Sequence, residues 1–546
     1  MHRILFAGLL SVSLALFSGC PAGSDSPSNS SAVSPAQALP GIFRLNLSAE
    51  VSSLDPAFAD NQANTWAVNQ LYNGLVRLGD DMQLAPALAS SWESDAEGRV
   101  FTFTLREASF HDDACFAEGR GRRVTANDVV YSFQRLLDPE VAADGGWVFR
   151  DIVDPEKGFE ALNDTVIRIT LNEPFMPFLS RLSMPYCSIV AKEAVEAYGP
   201  EFRNHPVGTG PFRMIAWEEG EQLTLTRNGK YWRKDEAGKA LPYLDGVRIS
   251  FIADKGSEFL QFEKGGLDFV SDLDPSQMDR VLTDAGALRE QYQGKMQLLR
   301  GEFLNTEYLG IYAQGADNPL NNPKVRQAIN CGFDREKMMI YLRNGKGIPA
   351  GRGMVPPSLL GEQKRRYGYK YDQDEARRLL ADAGYPDGEG MSEIILRTND
   401  QYLDLCTFIQ AELGNLGIPM RIETMDGKVL RELMVKGDAS FFRASWIADY
   451  PDAESYLTLF YGENSAPPNY TRYRNPAFDA LYEQVVAEPD ADSRLQLYRA
   501  MDSLVIADAP VIPLYYDEVY RFVRPGITGL EPNPMNMLWL EEVRKP

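Results

Sequence analysis

The sequence predicts an α/β protein of more than one domain, and three observations carry that expectation. Strand and helix patterns alternate late in the chain: Asp372 to Gly384 and Leu403 to Leu416 are helical in pattern, while Ile394 to Arg397 and Met420 to Glu423 are extended. At 546 residues the chain exceeds what one hydrophobic core serves, so two or three domains are expected, each free to be built from separated segments. Hydrophobic residues make up 44% of it, a globular composition, and the formal net charge is -22. Such a charge argues against nucleic acid, because a phosphate-binding surface needs clustered Lys and Arg. The densest basic run, Arg120 to Arg123, lies beside Glu118 and ahead of Asp128 and reads as an exposed loop.

Residues 1–19 read as an export signal: one arginine, Arg3, then an apolar run from Ile4 to Phe17 that is shorter than the ~20 residues a spanning helix needs. The ending Leu16-Phe17-Ser18-Gly19-Cys20 resembles a bacterial lipobox, in which Cys20 is lipidated and becomes the mature N-terminus; Phe17 stands where Leu is usual. The alternative is ordinary signal cleavage elsewhere. Residues 20–38 are rich in Ser, Ala and Pro and form a tether that as a random coil reaches roughly 25 Å. No later run is long and apolar enough to span a bilayer, so a lipid anchor is the expected membrane attachment.

After the tether, Ile42 to Leu47 alternates as a strand, Leu54-Asp55-Pro56 is a turn, and Trp66, Val68, Leu71, Tyr72, Leu75 and Val76 recur at helical spacing behind a cap at Asn64 or Thr65. Pro86 opens a new unit and Arg99 to Arg106 is a strand. Thr125 caps a helix whose Asp128 lies three residues on, a capping-box variant with Asp in place of Glu. Asp164 to Leu171 is a strand. The segment His205-Pro206-Val207-Gly208-Thr209-Gly210-Pro211-Phe212 offers a Gly-x-Gly, but Arg213 stands where a phosphate loop needs its third glycine. Strands follow at Gln222 to Arg227 and Val247 to Ile252, a helix opens after Pro323, and further helices begin at Asn475-Pro476 and span Ala491 to Asp508. Pro510 to Tyr516 is the last predicted strand.

The stretch Phe441 to Tyr456 draws most attention. Phe441, Phe442, Ala444, Trp446 and Ile447 supply β-forming bulk, and Tyr450-Pro451-Asp452 breaks the run, so the strand should stop near Ala448. That leaves Asp449 just past a strand end, between Trp446 and Tyr450. Two readings stay open: a solvated acidic turn, or a carboxylate that receives a cation while aromatics wall off water.

Catalytic chemistry is not in evidence. The histidines are His2, His111 and His205, and no HExxH, GxSxG or GxxxxGK[ST] occurs. A glycosidase pair of Asp449 with Asp452 or Glu454 is conceivable, but their clustering in one turn favours a solvated acidic loop. Cysteines beyond Cys20, namely Cys115, Cys187, Cys331 and Cys406, show no CxxC spacing and no His partner, which argues against zinc. Cys331 and Cys406 sit on helical patterns and are expected as buried thiols. No metal and no cofactor is expected.

A family resemblance organises these pieces. Leu84-Ala85-Pro86-Ala87-Leu88-Ala89-Ser90-Ser91-Trp92 with Phe101-Thr102-Phe103, Val124 to Phe133, Gly208-Thr209-Gly210-Pro211-Phe212, Lys230-Tyr231-Trp232 and Asn322 to Ile329 with Asp334-Arg335 resemble the extracytoplasmic solute-binding proteins of peptide ABC importers, family 5, which bind oligopeptides, dipeptides or nickel. The matches run from about Leu54 to Tyr516. The resemblance implies a two-lobed periplasmic-binding-protein-like α/β fold of the cluster C kind, with a hinge and an additional domain. Leu39 to Leu84, Gly208 to Leu299 and Val511 to Pro546 would form the core of the first lobe, Ala85 to Val207 the additional domain, and Arg300 to Pro510 the second lobe. Cys115 and Cys187 then fall in one domain, in loop-like contexts, and are expected to form a disulfide.

The implied function is capture of a peptide between the lobes and delivery to a membrane permease whose ATPase subunits use the ATP, by a monomeric lipoprotein facing the periplasm or the cell exterior. Rival readings are a binding protein for a nickel chelate or other small solute, and a peptide-holding receptor or chaperone without transport. By the resemblance, Asp449 takes the ligand α-ammonium. Asp60, Asn61 and Gln62 form one backbone-pairing segment and Ser445, Trp446 and Ile447 the other. Arg443 matches an arginine that approaches the ligand carboxylate in some relatives, with a structural ion pair as the alternative. A second basic residue of those relatives appears here as Asn330.

Overall fold

The computed structural model describes residues 41–79, 81–361 and 368–546; the signal, Cys20 and the tether lie outside the described residues. A seven-stranded sheet dominates, in the order Phe269–Ser271, Val511–Val523, Gln297–Ile311, Phe441–Ile447, Ile394–Thr398 and Met420–Thr424, with Ile348–Pro349 pairing Val511–Val523 off that path. Alternation along its strands sends side chains to two separate cores, as the pleat dictates. Leu309, Ile311, Phe441, Ile512 and Leu514 pack against the helices Pro323–Cys331, Gln373–Asp382 and Leu403–Gly414. Tyr308, Phe442, Ala444 and Val511 face the other way, against Gly427–Lys436, Pro476–Ala487 and Ala491–Asp508. Helices on both faces of a mixed sheet make this region α/β. Each fully buried Leu or Phe in these layers stabilises the fold by about 1.5–3 kcal/mol.

Two four-stranded sheets lie largely before it in the chain, with a short pair, Val76–Leu78 and Leu84–Pro86, beside them in sequence. Ile42–Asn46 pairs in parallel with Gly246–Ser250, which is followed by Gln222–Arg227 and Phe212–Glu218 in antiparallel order. A second four-stranded sheet runs Ala89–Ser94, Val100–Leu105, Val166–Thr170 and Phe159–Asn163. One apolar cluster joins both of these sheets, from Phe43 and Val247 to Phe101 and Ile167.

Two long strands were not foreseen at their true length. Gln297–Ile311 contains Gly301, Glu302, Asn305, Glu307 and Gly310, too polar and glycine-rich to read as a strand, yet it pairs on both sides. Val511–Val523 continues well past Tyr516. Their mutual register slips between Glu302 and Thr306, next to the position where the sequence reading divides one lobe from the other. A slip of this kind bends and twists paired strands. The expected boundary between Leu299 and Arg300 therefore falls inside a continuous strand.

Other elements match or differ for stated local reasons. Gln222–Arg227 and Ala491–Asp508 have the expected ends. The capping box forms at Thr125, with Asp128 accepting from the Thr125 backbone N–H at 2.8 Å. Asp128 also accepts both Nη atoms of Arg122, whose Nε reaches Glu193 at 2.6 Å, so this part of the Arg120–Arg123 run is a structural clasp rather than a free basic loop. The first helix starts earlier than expected: Asn61 caps Gln62–Leu71, because Asn64 is buried and accepts from the Ser52 backbone while donating to the Phe58 carbonyl. Gly208 and Gly210 are needed for close approach rather than unusual backbone angles: a Cβ would lie 2.1 Å from the Leu71 carbonyl oxygen at Gly208 and 2.4 Å from the Leu71 carbonyl carbon at Gly210. His111, buried, sits on the Gly210 carbonyl at 3.1 Å through Nε2, and burial pushes its pKa down to about 4, so it is neutral scaffold.

The expected disulfide is absent: Cys115 and Cys187 are free thiols, as are Cys331 and Cys406. Cys187 is fully buried in the turn Pro185–Cys187 and points its thiol at the Arg181 carbonyl, whereas the Cys115 backbone is held by Asp113. Each thiol is thus fixed in its own local packing, and burial raises the pKa of both. Among the described residues no helix is long and apolar enough to cross a membrane.

Candidate ligand-binding site

The strand Phe441–Ile447 ends where the sequence predicts, and its two edges differ. One pairs along its whole length with Gln297–Ile311, from Ile311 opposite Phe441 to Asn305 opposite Ile447. The other edge pairs only once, Arg397 opposite Phe442. From Arg443 onward that edge carries no partner strand among the described residues, and Ser445 and Ile447 are exposed. Unpaired backbone N–H and C=O groups on a strand edge are a template for an extended chain.

Past the strand, a tight network holds the turn. Trp446 Nε1 donates to the Ser455 carbonyl at 2.7 Å, and the Asp449 backbone N–H donates to Ser455 Oγ at 3.0 Å. The hydroxyls of Tyr450 and Tyr482 each donate to one oxygen of Glu454, which is fully buried. Arg181 Nε donates in turn to the Tyr450 hydroxyl oxygen at 3.1 Å. This is no solvated acidic loop, because Glu454 is spent on two tyrosines inside the protein. Tyr450 is likewise not a wall of an open site: it is buried, bonded at its hydroxyl, and packed in the apolar cluster that joins the two smaller sheets.

Asp449 is the exception within this network. Its carboxylate is half-buried and makes no hydrogen bond or ion pair with any described residue. Loss of hydration pushes its pKa up to about 7; Arg181 pulls in the opposite direction and the charge of Glu454 adds to the rise. A partly dehydrated carboxylate left without a partner is costly, and a cation placed against it recovers that cost.

Arg443 is placed otherwise. It forms a buried ion pair with Glu307 on the neighbouring strand and stacks 3.1 Å from the centre of the Tyr402 ring. Burial opposes its charge but Glu307 holds it charged, above the usual guanidinium value. The structure therefore gives Arg443 the role of a structural ion pair. Asn330 is buried too, accepting from Arg335 at 3.1 Å and donating to the Val511 carbonyl at 3.4 Å.

Asp60, Asn61 and Gln62 are exposed; Asn61 has extended backbone angles, and the helix begins at Gln62. Asn61 caps the helix and donates to Asp60 through Nδ2 at 2.9 Å, while Gln62 is the first helical residue. The phenol of Tyr186 is raised first by burial and then by the charges of Asp60, Asp144 and Asp449. Sequence reasoning missed Tyr186, Arg181 and Glu307, and nothing in their local patterns marks them: each gains meaning only from the segment packed against it.

Comparisons with known proteins agree with this architecture. Residues 83–468 match the model of the bacterial extracellular solute-binding proteins, family 5. The heme-binding protein A of Haemophilus influenzae is 29% identical over 85% of this chain and 85% of its own. The periplasmic oligopeptide-binding protein OppA of Salmonella typhimurium is 27% identical over 89% of this chain and 90% of its own. Among solved structures, the ABC transporter-associated periplasmic binding protein DppA from Helicobacter pylori, in complex with the peptide STSA, superposes with a TM-score of 0.75 at 26% identity, covering 92% of this chain and 98% of that one. Its overall fold is that of the periplasmic binding proteins, and with a family match spanning most of its length this chain belongs to the bacterial extracellular solute-binding proteins of family 5.

Proposed function

We propose that this chain captures peptides for an ABC importer, with the ligand α-ammonium against Asp449 and its backbone along the open edge of the strand Phe441–Ile447. The observation that carries the reading is the Asp449 carboxylate: half-buried, unpartnered among the described residues and set just past a strand edge that carries no partner strand beyond Phe442 among those residues. Pairing through the backbone leaves ligand side chains free, which suits capture of many sequences. Named relatives that bind oligopeptides, or were solved with a peptide, support the class of ligand. In this reading the first lobe, additional domain and second lobe keep the boundaries expected from the sequence, Cys20 carries the lipid anchor, and a permease with its ATPase subunits takes up the ligand from a monomeric binding protein. The slipped register at Glu302–Thr306 is the place where the two long strands would bend as the lobes close.

Calorimetry with one peptide and its N-acetylated form, on the native protein and on Asp449→Asn, tests this. Removing one partner of a buried charge pair costs about 3–5 kcal/mol, so the substitution is expected to weaken binding by at least two decades at about 1.4 kcal/mol per decade. Acetylation should cost the native protein a comparable amount and the variant little further. Full affinity for the acetylated peptide would remove Asp449 from the site.

A further inference from the structure

Residues 60–62 and 445–449, the two stretches that the resemblance brings to the ligand, are joined within the fold through a loop near the C-terminus, residues 533–539. The strand Gln297–Ile311 slips against its partner Val511–Val523 between Glu302 and Thr306, so the backbone of Leu304 has no place in that ladder. The Leu304 N–H donates instead to the Pro534 carbonyl at 2.7 Å, and the Leu304 carbonyl accepts the Ala448 N–H at 2.8 Å. Asp449 is the next residue. Leu304, Ala448 and Met535 are buried in one apolar cluster, so packing follows the same route as the hydrogen bonds.

The loop is fixed from its other side as well. Trp66 and Gln70, on the helix that Asn61 caps, donate to the Asn536 and Leu538 carbonyls, each at 2.8 Å. Asn533 closes the loop on itself, donating to the Met537 carbonyl at 2.7 Å and accepting the Met537 N–H at 2.9 Å. The buried Arg521 directs its Nη atoms to the Glu531 and Met537 carbonyls at 3.0 and 2.8 Å. A guanidinium is costly to bury and a buried carbonyl is costly to leave unbonded, so these bonds hold the loop to one position.

We propose that the loop 533–539 is a positioning element for the ligand ammonium: through Leu304 and Ala448 it fixes where the Asp449 carboxylate stands relative to the helix Gln62–Leu71, with Trp66 and Gln70 as positioning residues. The inference rests on the reading of Asp449 above and adds what holds that residue in place. A charge-assisted hydrogen bond forms at about 2.7–2.9 Å, and a site group must be held within about 0.5 Å of its productive geometry to make it. The bond from Asp449 N–H to Ser455 ties the turn to itself. The bond from Ala448 to Leu304 ties the turn to the sheet and, through Pro534, to the loop.

The test is calorimetry with trialanine and N-acetyl-trialanine on the native protein, Trp66→Phe and Gln70→Met, each substitution removing one donor to the loop and keeping most of the side-chain bulk. Circular dichroism melts confirm folding, and Thr125→Ala, at the cap of a helix outside this chain of bonds, controls for a loss of stability alone. The native protein should lose at least about a hundredfold in affinity on acetylation. Each loop variant should bind trialanine more weakly and the acetylated form as the native protein does, so that its acetylation penalty is at least about fivefold smaller. Thr125→Ala should keep the native penalty. Acetylation and substitution form a double-mutant cycle, and a purely structural role of the loop would leave it without coupling. If Trp66→Phe does not fold, Gln70→Met decides, since it also removes the buried Gln70 Oε1, which has no partner among the described residues. A native penalty that persists undiminished in the folded variants overturns this inference and leaves the reading of Asp449 standing, as does an equal reduction in Thr125→Ala. Equal binding of the two forms by the native protein, or binding of neither, overturns the reading of Asp449 and this inference with it.

Discussion

Arg443, inside the strand Phe441–Ile447, and Asp449, just past its end, were both expected to meet ligand, but the protein treats them oppositely. Arg443 is enclosed, paired with Glu307 and stacked on Tyr402. Asp449 is half-buried and its carboxylate is paired with no described residue, while the turn around it is tied down by Trp446, Ser455, Tyr450 and Glu454. A charge that serves the fold is satisfied within the fold. In the proposed reading, a charge that serves a ligand is held in position by its backbone and neighbours and left unsatisfied at its functional atoms, and that difference would separate scaffold from site.

The largest effect expected from this contrast is on stability, not binding. Arg443→Met leaves Glu307 buried with its ion-pair partner gone, and breaking a buried pair in this way costs about 3–5 kcal/mol. Urea denaturation of the ligand-free protein measures it. By contrast, Asp449→Asn removes a strained charge and should leave the ligand-free protein as stable as the native one or more so. A native-like midpoint for Arg443→Met would erase the distinction between the two residues.

A smaller effect concerns pH. The Asp449 pKa of about 7 is raised by loss of hydration above an unfolded value of about 3.9. Arg181 favours the ionised form there, Glu454 opposes it, and Tyr186 and Tyr456 face it uncharged. Because the folded value is raised, the stability this group contributes is fully present below about pH 4 and is lost as pH climbs through about 7. Ligand binding runs the other way, since an ammonium needs the ionised carboxylate. Affinity should climb by up to a decade, about 1.4 kcal/mol, per pH unit from 5 to 7. It should then level, and fall where the α-amino group loses its proton near 7.7–8.0. Asp449→Asn should show no acid limb; one that persists in the variant would assign the titration to another group.

The smallest effect sharpens the placement of Asn61. As the cap of Gln62–Leu71 it accepts the Asn64 N–H at 3.0 Å, and Asn61→Ala should cost about 1 kcal/mol in a denaturation experiment. A cost near zero would mean that its side chain is available to ligand instead.

Local physical chemistry alone determined a good deal about this protein. The alternating runs that became Gln222–Arg227 and Phe441–Ile447, the amphipathic run of Ala491–Asp508, the cap at Thr125 and the break at Tyr450-Pro451 each depend on neighbours a few residues away, and each was legible. The ordered segments from Leu84 to Asp334 pointed to the family for the same reason. Tertiary structure alone decided the rest. Gln297–Ile311 is a strand because two long partners pair with it, in spite of its glycines and acids. Cys115 and Cys187 remain thiols because each is fixed by its own surroundings. Arg443 has Glu307 beside it, the Asp449 carboxylate has no partner among the described residues, and Arg181 reaches the neighbouring Tyr450 from a distant segment. Charge, hydration and pairing are properties of what surrounds an atom in space, and the order of residues along the chain fixes those surroundings only after the chain has folded.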